Sequence, residues 1–450
     1  MGINQIDKKS YIYLFLKYFV AFWHNRVFYR RIVILNREQI PQNAHLIFTG
    51  NHQNALMDAM VFLFGVKGRL VFMARSDIYK KPLIAAILYF FRMLPIFRMK
   101  DGYSEVKKND KVFQKTIDVI KNKIGIVIMA EGNHGSERRL RPLKKGFARI
   151  AFQTEEANDF QLNMQIIPVG MDYSNYYDYQ TELLINFGKP ILVSEFIESY
   201  KESPAVAINQ IKERLAESLI PLMVHIKSEK YYHLYNELRE IYKYEMVKEM
   251  GLPSVNQPFK LQADQELIRR LEKFEEEYPE QMSGFQNTVL RFRDNLSAQK
   301  LDYEVVRKPA VSKFQLLTKW ALLFVASPVF AIGWLLNYFP FGFSIWVGNK
   351  MSDRQFHSSF KFAVSLFLYP IWHLLGSIFV LILLGEWIFA LGFFVAMPIL
   401  GILARWYWVA NTDFRKKCRW FRLEKQQSTD YQTIKTDQEQ IFSQMKTVIS

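Results

Sequence analysis

Two uninterrupted apolar runs near the C-terminus constrain this chain more than any other feature. Phe362–Leu384 is 23 residues without Lys, Arg, Asp or Glu, and Trp387–Ala404 is 18 more. A helix that spans a bilayer needs about 20 such residues. The first run is therefore predicted to span, the second nearly reaches, and Gly385-Glu386 between them predicts a tight turn. A third stretch, Trp320–Leu336, is uncharged but holds Pro328, and Pro340 precedes a further aromatic patch. That pattern predicts a re-entrant hairpin. Lys308, Lys313 and Lys319 precede the region, and Arg415, Lys416, Lys417, Arg419 and Arg422 follow it. Basic residues favour the cytoplasmic side. Both flanks thus read as cytoplasmic, and residues 311–412 read as two spans plus a re-entrant hairpin in an inner, cytoplasmic-type membrane.

The rest of the chain is built differently. Lys plus Arg is 59 against 43 Asp plus Glu, a formal charge of +16. A surface this basic attracts polyanions. With 38 Phe and no nucleic-acid-binding motif, an anionic bilayer is the expected partner and nucleic acid is not. The lone Cys418 excludes an intramolecular disulfide and a Cys-based zinc site, and the eight histidines form no His-Glu-x-x-His pattern. No metal or cofactor is expected.

Residues 1–31 read as an amphipathic helix on a membrane surface, with Lys and Arg among Tyr, Phe and Trp. Residues 32–230 alternate strand-length apolar runs with helical patterns, which predicts an α/β domain with a mixed sheet. Its expected strands are Ile32–Leu35, Leu46–Thr49, Leu70–Ala74, Ile124–Ala130, Gln165–Gly170 and Leu183–Phe187; helices are expected at 55–65, 82–92, 105–121 and 145–155. Residues 231–310 read as a charged helical segment, and 413–450 as a basic, then polar, cytoplasmic tail.

Four blocks in the α/β domain carry residues suited to chemistry. Asn51-His52-Gln53-Asn54-Ala55-Leu56-Met57-Asp58 follows a strand and opens a helix. An aspartate on the next turn could hold the Nδ1–H of His52 and leave Nε2 as a base. Backbone N–H groups after Asn51 are the expected oxyanion donors. Leu94-Pro95-Ile96-Phe97-Arg98 ends in an arginine able to fork onto phosphate. Glu131-Gly132-Asn133-His134-Gly135-Ser136, followed by Arg138, Arg139 and Lys144, has the glycines and cations of an anion cradle. Ile166-Ile167-Pro168-Val169-Gly170 reads as a buried strand.

In this order the blocks resemble the glycerolipid acyltransferase superfamily, which includes lysophosphatidate and glycerol-3-phosphate acyltransferases; the resemblance covers roughly residues 40–190. It implies His52 as catalytic base with Asp58 as its partner, supported by Asn51 and Asn54. It implies phosphate contacts from Arg98, Glu131, Gly132, Ser136, Arg138, Arg139 and Lys144, and Pro168 at an acyl pocket. The implied co-substrate is acyl-CoA or acyl carrier protein, and the implied acceptor is a glycerol phosphate, with 1-acylglycerol-3-phosphate or another lysolipid as the alternative. A non-catalytic lipid-binding protein on the same fold is the competing class. Two departures stand out. The family's commonest spacing puts four residues between His and Asp, whereas here there are five, Gln53 to Met57. One extra residue rotates a regular helix by about 100°, so the turn must absorb it. Some relatives with glycerol-3-phosphate or dihydroxyacetone-phosphate acceptors resemble this longer form. The third block also lacks the usual Thr and Arg directly after Glu-Gly.

Overall fold

The structure is a computed structural model that describes residues 3–97, 109–309 and 311–449. The chain divides into two compact units, residues 1–225 with 348–362, and residues 226–347 with 363–450.

The first unit is an α/β domain around a mixed sheet. Its strands are β1 (Tyr29–Leu35), β2 (Leu46–Gly50), β3 (Leu70–Arg75), β4 (Met93–Ile96), β5 (Gly125–Val127), β6 (Gln165–Tyr173), β7 (Thr181–Phe187) and β8 (Ile191–Leu192). They order as β1-β7-β6-β2-β5-β3-β4, with β8 beside β6. β2, β5, β3, β4 and β6 run parallel, while β7 and β8 oppose β6. Every residue of β2 is buried. A continuous apolar strand of that kind suits a parallel sheet covered on both faces. Its register with β6 runs from Leu46↔Gln165 to Gly50↔Val169. A Cβ at Gly50 would lie 2.5 Å from Val169 O, so only glycine permits this close approach at the strand's end.

Helices of this unit are α1 (Tyr11–Phe22), α2 (Ala55–Gly65), α3 (Pro82–Phe90), α4 (Asn109–Lys121), α5 (Gly146–Glu156), α6 (Ile197–Glu202) and α7 (Pro204–Leu219). Ile47, Val71, Ile126 and Ile166 of the sheet share one core with Phe147 and Ala151 of α5 and Ile211 and Leu215 of α7. All six expected strands form. The fourth ends at Val127 rather than Ala130, because the chain turns toward Gly132, whose N–H reaches Met129 O. Leu94-Pro95-Ile96, absent from the expected strands, lies in edge strand β4, where a proline's missing N–H costs no ladder bond. The N-terminal helix is shorter than residues 1–31. It starts at its Ser10 cap and gives way to a π-helical turn, and Tyr29–Arg31 already belong to β1. Tyr11, Phe15, Tyr18 and Phe22 of α1 are exposed and share one face.

The second unit is helical. α8 (Tyr232–Ile241), α9 (Lys243–Glu249), α10 (Gln257–Glu277), α11 (Pro279–Ala298) and α12 (Tyr303–Val306) lead into α13 (Lys313–Asn349), α14 (His357–Leu384), α15 (Trp387–Lys425) and α16 (Thr429–Ile449). α16 packs on α11, where Arg291 pairs with Asp437 at 2.6 Å. Lys416 of α15 pairs with Asp302 at 2.5 Å, and Lys319 of α13 with Asp413 at 2.7 Å.

Among the described residues, three helices are long and apolar enough to cross a membrane: Lys313–Asn349, Arg354–Leu384 and Trp387–Lys425. The re-entrant hairpin expected around Pro328 and Pro340 is not formed; α13 runs through both prolines. A helical proline leaves the carbonyl four residues back without its donor. Here the Ser327 hydroxyl donates to Phe324 O at 2.7 Å, and the Trp372 indole donates to Leu336 O at 2.8 Å. Both orphaned acceptors are satisfied, so the helix has no need to break. His373 bonds the Asn337 side chain at 3.0 Å between helices.

Candidate active site

The C-terminal ends of β2, β5 and β6 bring the first, third and fourth blocks together at the edge where open α/β sheets bind ligands. Asn51 sits one residue beyond β2 and continues the sheet with its side chain. Its Oδ1 accepts Met171 N at 2.8 Å and its Nδ2 donates to Met171 O at 2.9 Å. This clamp fixes where the next residue, His52, leaves the sheet.

His52 is held at four points. Its Nδ1 lies 2.9 Å from Asp58 Oδ2. Its N–H donates to Glu131 Oε1 at 2.8 Å, and its carbonyl accepts from Gly135 N and Arg141 Nη2, each at 3.1 Å. The carboxylate accepts Nδ1–H, which leaves the lone pair on Nε2. The imidazole keeps some access, at 16% side-chain exposure, while Asp58 is sealed at 1%. An imidazole so oriented can take a proton from a hydroxyl.

The extra residue between His52 and Asp58 is absorbed before the helix begins. Asn54 is non-helical, and Ala55 takes a left-handed φ of 43°. For an alanine that conformation costs roughly 1–2 kcal/mol. The turn is held by Asp58, whose Oδ2 accepts Gln53 N at 2.8 Å and Asn54 N at 2.7 Å, while Oδ1 accepts the Tyr173 hydroxyl at 2.7 Å. Burial and the neighbouring Asp58 push the Tyr173 hydroxyl well above its usual range, so it stays a donor. The N–H groups of His52, Gln53, Asn54 and Leu56 are all engaged within the protein. The oxyanion donors expected directly after Asn51 are therefore already occupied.

Glu131 is buried at 2% and joins His52 N to Arg141, whose Nε lies 2.6 Å from Oε2. Burial pushes its carboxyl above the usual range, against the opposing pull of Arg141 and of the His52 N–H. Gly132 takes a φ of 71°, which turns the chain at the strand's end. Ser136 and Lys144 are exposed and Arg139 is half-buried. Arg138 is not part of this rim. It is buried, pairs with Asp172, and stacks over Tyr176 at 4.9 Å. Pro168 is buried within β6 opposite Thr49, its carbonyl accepting Gly188 N at 2.8 Å. Arg98 lies outside the described residues.

Sequence reasoning missed the roles of Arg141 and Gln53, and placed His134 only within the loop of the anion cradle. Arg141 braces both Glu131 and the His52 carbonyl. Gln53 bridges Glu137 O and the Tyr176 hydroxyl. The ring of His134 stands 5.6 Å from that of His52, edge to face, and burial pushes its imidazole below the usual range despite a bond from Gln355. Arg141 lay two residues from Arg139 and three from Arg138 and Lys144; nothing in the sequence distinguishes it from Arg138.

Comparison with known proteins places this site in a class. Residues 31–172 match the Acyltransferase family. The chain is 27% identical over 118 residues to glycerol-3-phosphate O-acyltransferase 2 of Saccharomyces cerevisiae, 26% of this chain and 16% of that protein. It is 22% identical over 163 residues to the 1-acyl-sn-glycerol-3-phosphate acyltransferase of Borreliella burgdorferi, 36% of this chain and 59% of that one. The chain thus spans less than two thirds of either relative. The crystal structure of the 1-acyl-sn-glycerophosphate acyltransferase from Thermotoga maritima aligns with 16% identity and a TM-score of 0.32, over 46% of this chain and 79% of that one. The stretch of the α/β domain similar to the Acyltransferase family includes His52, Asp58, Glu131 and Gly132.

Proposed function

We propose that the protein is a membrane-bound O-acyltransferase that moves a fatty acyl group from a thioester, acyl-CoA or acyl carrier protein, to a hydroxyl of glycerol 3-phosphate in phospholipid synthesis. The observation that carries this is the His52–Asp58 pair at the carboxyl end of a central strand, beside Glu131. His52 Nε2 takes the hydroxyl proton as the oxygen attacks the thioester carbonyl. The tetrahedral intermediate expels the thiolate, and His52 returns the proton to sulfur. Asp58 stabilises the imidazolium formed between these steps. Ser136, Arg139 and Lys144 receive the acceptor phosphate, with Arg98 as a further contact, while Arg138 is committed to Asp172. Pro168 borders the acyl chain. The three apolar helices anchor the protein, with the domain on the cytoplasmic face.

The longer His-to-Asp spacing and the yeast relative favour glycerol 3-phosphate; the Borreliella relative supports 1-acylglycerol-3-phosphate as the second reading. The test is an acceptor panel of glycerol 3-phosphate, dihydroxyacetone phosphate, 1-acylglycerol-3-phosphate and lyso-amino lipids, each with both donors, on the full chain in lipid nanodiscs. Transfer to glycerol 3-phosphate is expected. His52→Ala is expected to lower it at least ~10²–10⁴-fold with unchanged thermal unfolding. A folded His52→Ala protein with wild-type turnover refutes the mechanism.

A further inference from the structure

Residues 348–362, which connect α13 to α14 and open α14, belong to the same compact unit as the α/β domain. Ser359 Oγ accepts the N–H of Leu56 at 3.2 Å. That N–H lies in the first turn of α2, where no helix carbonyl is available. Ser358 Oγ donates to Asn54 Oδ1, and both serines are buried. These bonds grip the strained turn between His52 and Asp58 in addition to Asp58's own carboxylate bonds. A few residues earlier, Gln355 Oε1 accepts from His134 Nδ1, and the Phe356 ring meets the His134 ring edge-on at 4.7 Å. His134 is the ring that faces His52. Lys361, also buried, closes the far end by donating to Tyr177 O at 3.0 Å.

We propose that Gln355, Phe356, Ser358 and Ser359 form a positioning element of the active site. Ser358 and Ser359 fix the turn that presents His52 and Asp58, and Gln355 and Phe356 hold His134 as a wall beside the His52 imidazole. The inference rests on the acyltransferase reading for its kinetic consequence but not for its placement.

Two measurements on the full chain in detergent or nanodiscs test this. In the first, Ser359→Ala removes the acceptor of an N-terminal helix N–H, an effect typically near 1 kcal/mol, which is about fivefold. A fall in kcat of that order is expected, with KM for the acyl donor unchanged, and Ser359→Thr, which keeps the hydroxyl, restores kcat. A purely structural role predicts lowered thermal stability with unchanged kcat per folded molecule. In the second, carbethoxylation of His134 by diethyl pyrocarbonate is timed by mass spectrometry, which needs no turnover. Phe356→Ala is expected to speed modification of His134 several-fold. Unchanged labelling of His134 in Phe356→Ala, or wild-type kcat in Ser359→Ala, overturns the proposal. Absence of transfer to any acceptor by the wild-type chain would refute the enzymatic reading instead, with the labelling still deciding the placement.

Discussion

Replacing Asp58 by asparagine separates two services that the carboxylate performs. Oδ2 accepts three N–H groups, from His52 Nδ1, Gln53 N and Asn54 N, while Oδ1 accepts one hydroxyl, from Tyr173. In Asp58→Asn the amide oxygen must take the Oδ2 place, since an NH₂ there would face three donors. The NH₂ then meets the Tyr173 hydroxyl, which rotates to accept. His52 keeps its acceptor and therefore its tautomer. What disappears is the negative charge facing the imidazolium. Hydrogen bonds to charged groups contribute about 1.5–3 kcal/mol and neutral ones about 0.5–1.5. The transition state should lose about 1–2 kcal/mol, or roughly 5–30-fold in kcat. Asp58→Ala should behave differently. It strands the Gln53 and Asn54 N–H groups, at about 1–3 kcal/mol each, and so lowers the melting temperature as well as activity. Initial rates of acyl transfer with thermal unfolding on the same preparations decide the matter. A folded Asp58→Asn enzyme as inactive as His52→Ala, or one as active as wild type, would refute the reasoning.

Two further outcomes follow from the buried charges. Arg138→Ala leaves Asp172 buried and unpaired, so it should destabilise the domain by about 3–5 kcal/mol; a folded variant with unchanged melting that has lost only acceptor affinity would return Arg138 to the phosphate site. Glu131, whose carboxyl burial raises above its usual range, holds its proton more tightly folded than unfolded. Its titration therefore contributes stability that is fullest in acid and lost as pH rises through its folded range. Relative to wild type, Glu131→Gln should gain melting temperature as pH rises through and above the ordinary glutamate range; a difference independent of pH would contradict the burial argument.

Much of the fold was legible because it rests on local pattern. The fully buried strand Leu46–Gly50 announced itself as an apolar run, and His52 followed at its end. What could not be read depended on partners distant in sequence. The spacing from His52 to Asp58 looked wrong for a helix because Ala55 adopts a left-handed conformation that no residue preference of alanine signals. Arg138 and Arg141 look alike in a basic loop; only the fold brings Asp172 to one and Glu131 to the other. The prolines in α13 suggested a break, and the indole that repairs the second lies 36 residues away.

The ion pairs that bracket the apolar helices limit how the chain threads a bilayer. Three complete crossings would leave Asp302 and Lys416 on opposite faces, with about 30 Å of hydrocarbon between them. They touch at 2.5 Å. The two ends of the apolar helical region therefore lie side by side, and Gly385, at a φ of 70°, marks the reversal between α14 and α15.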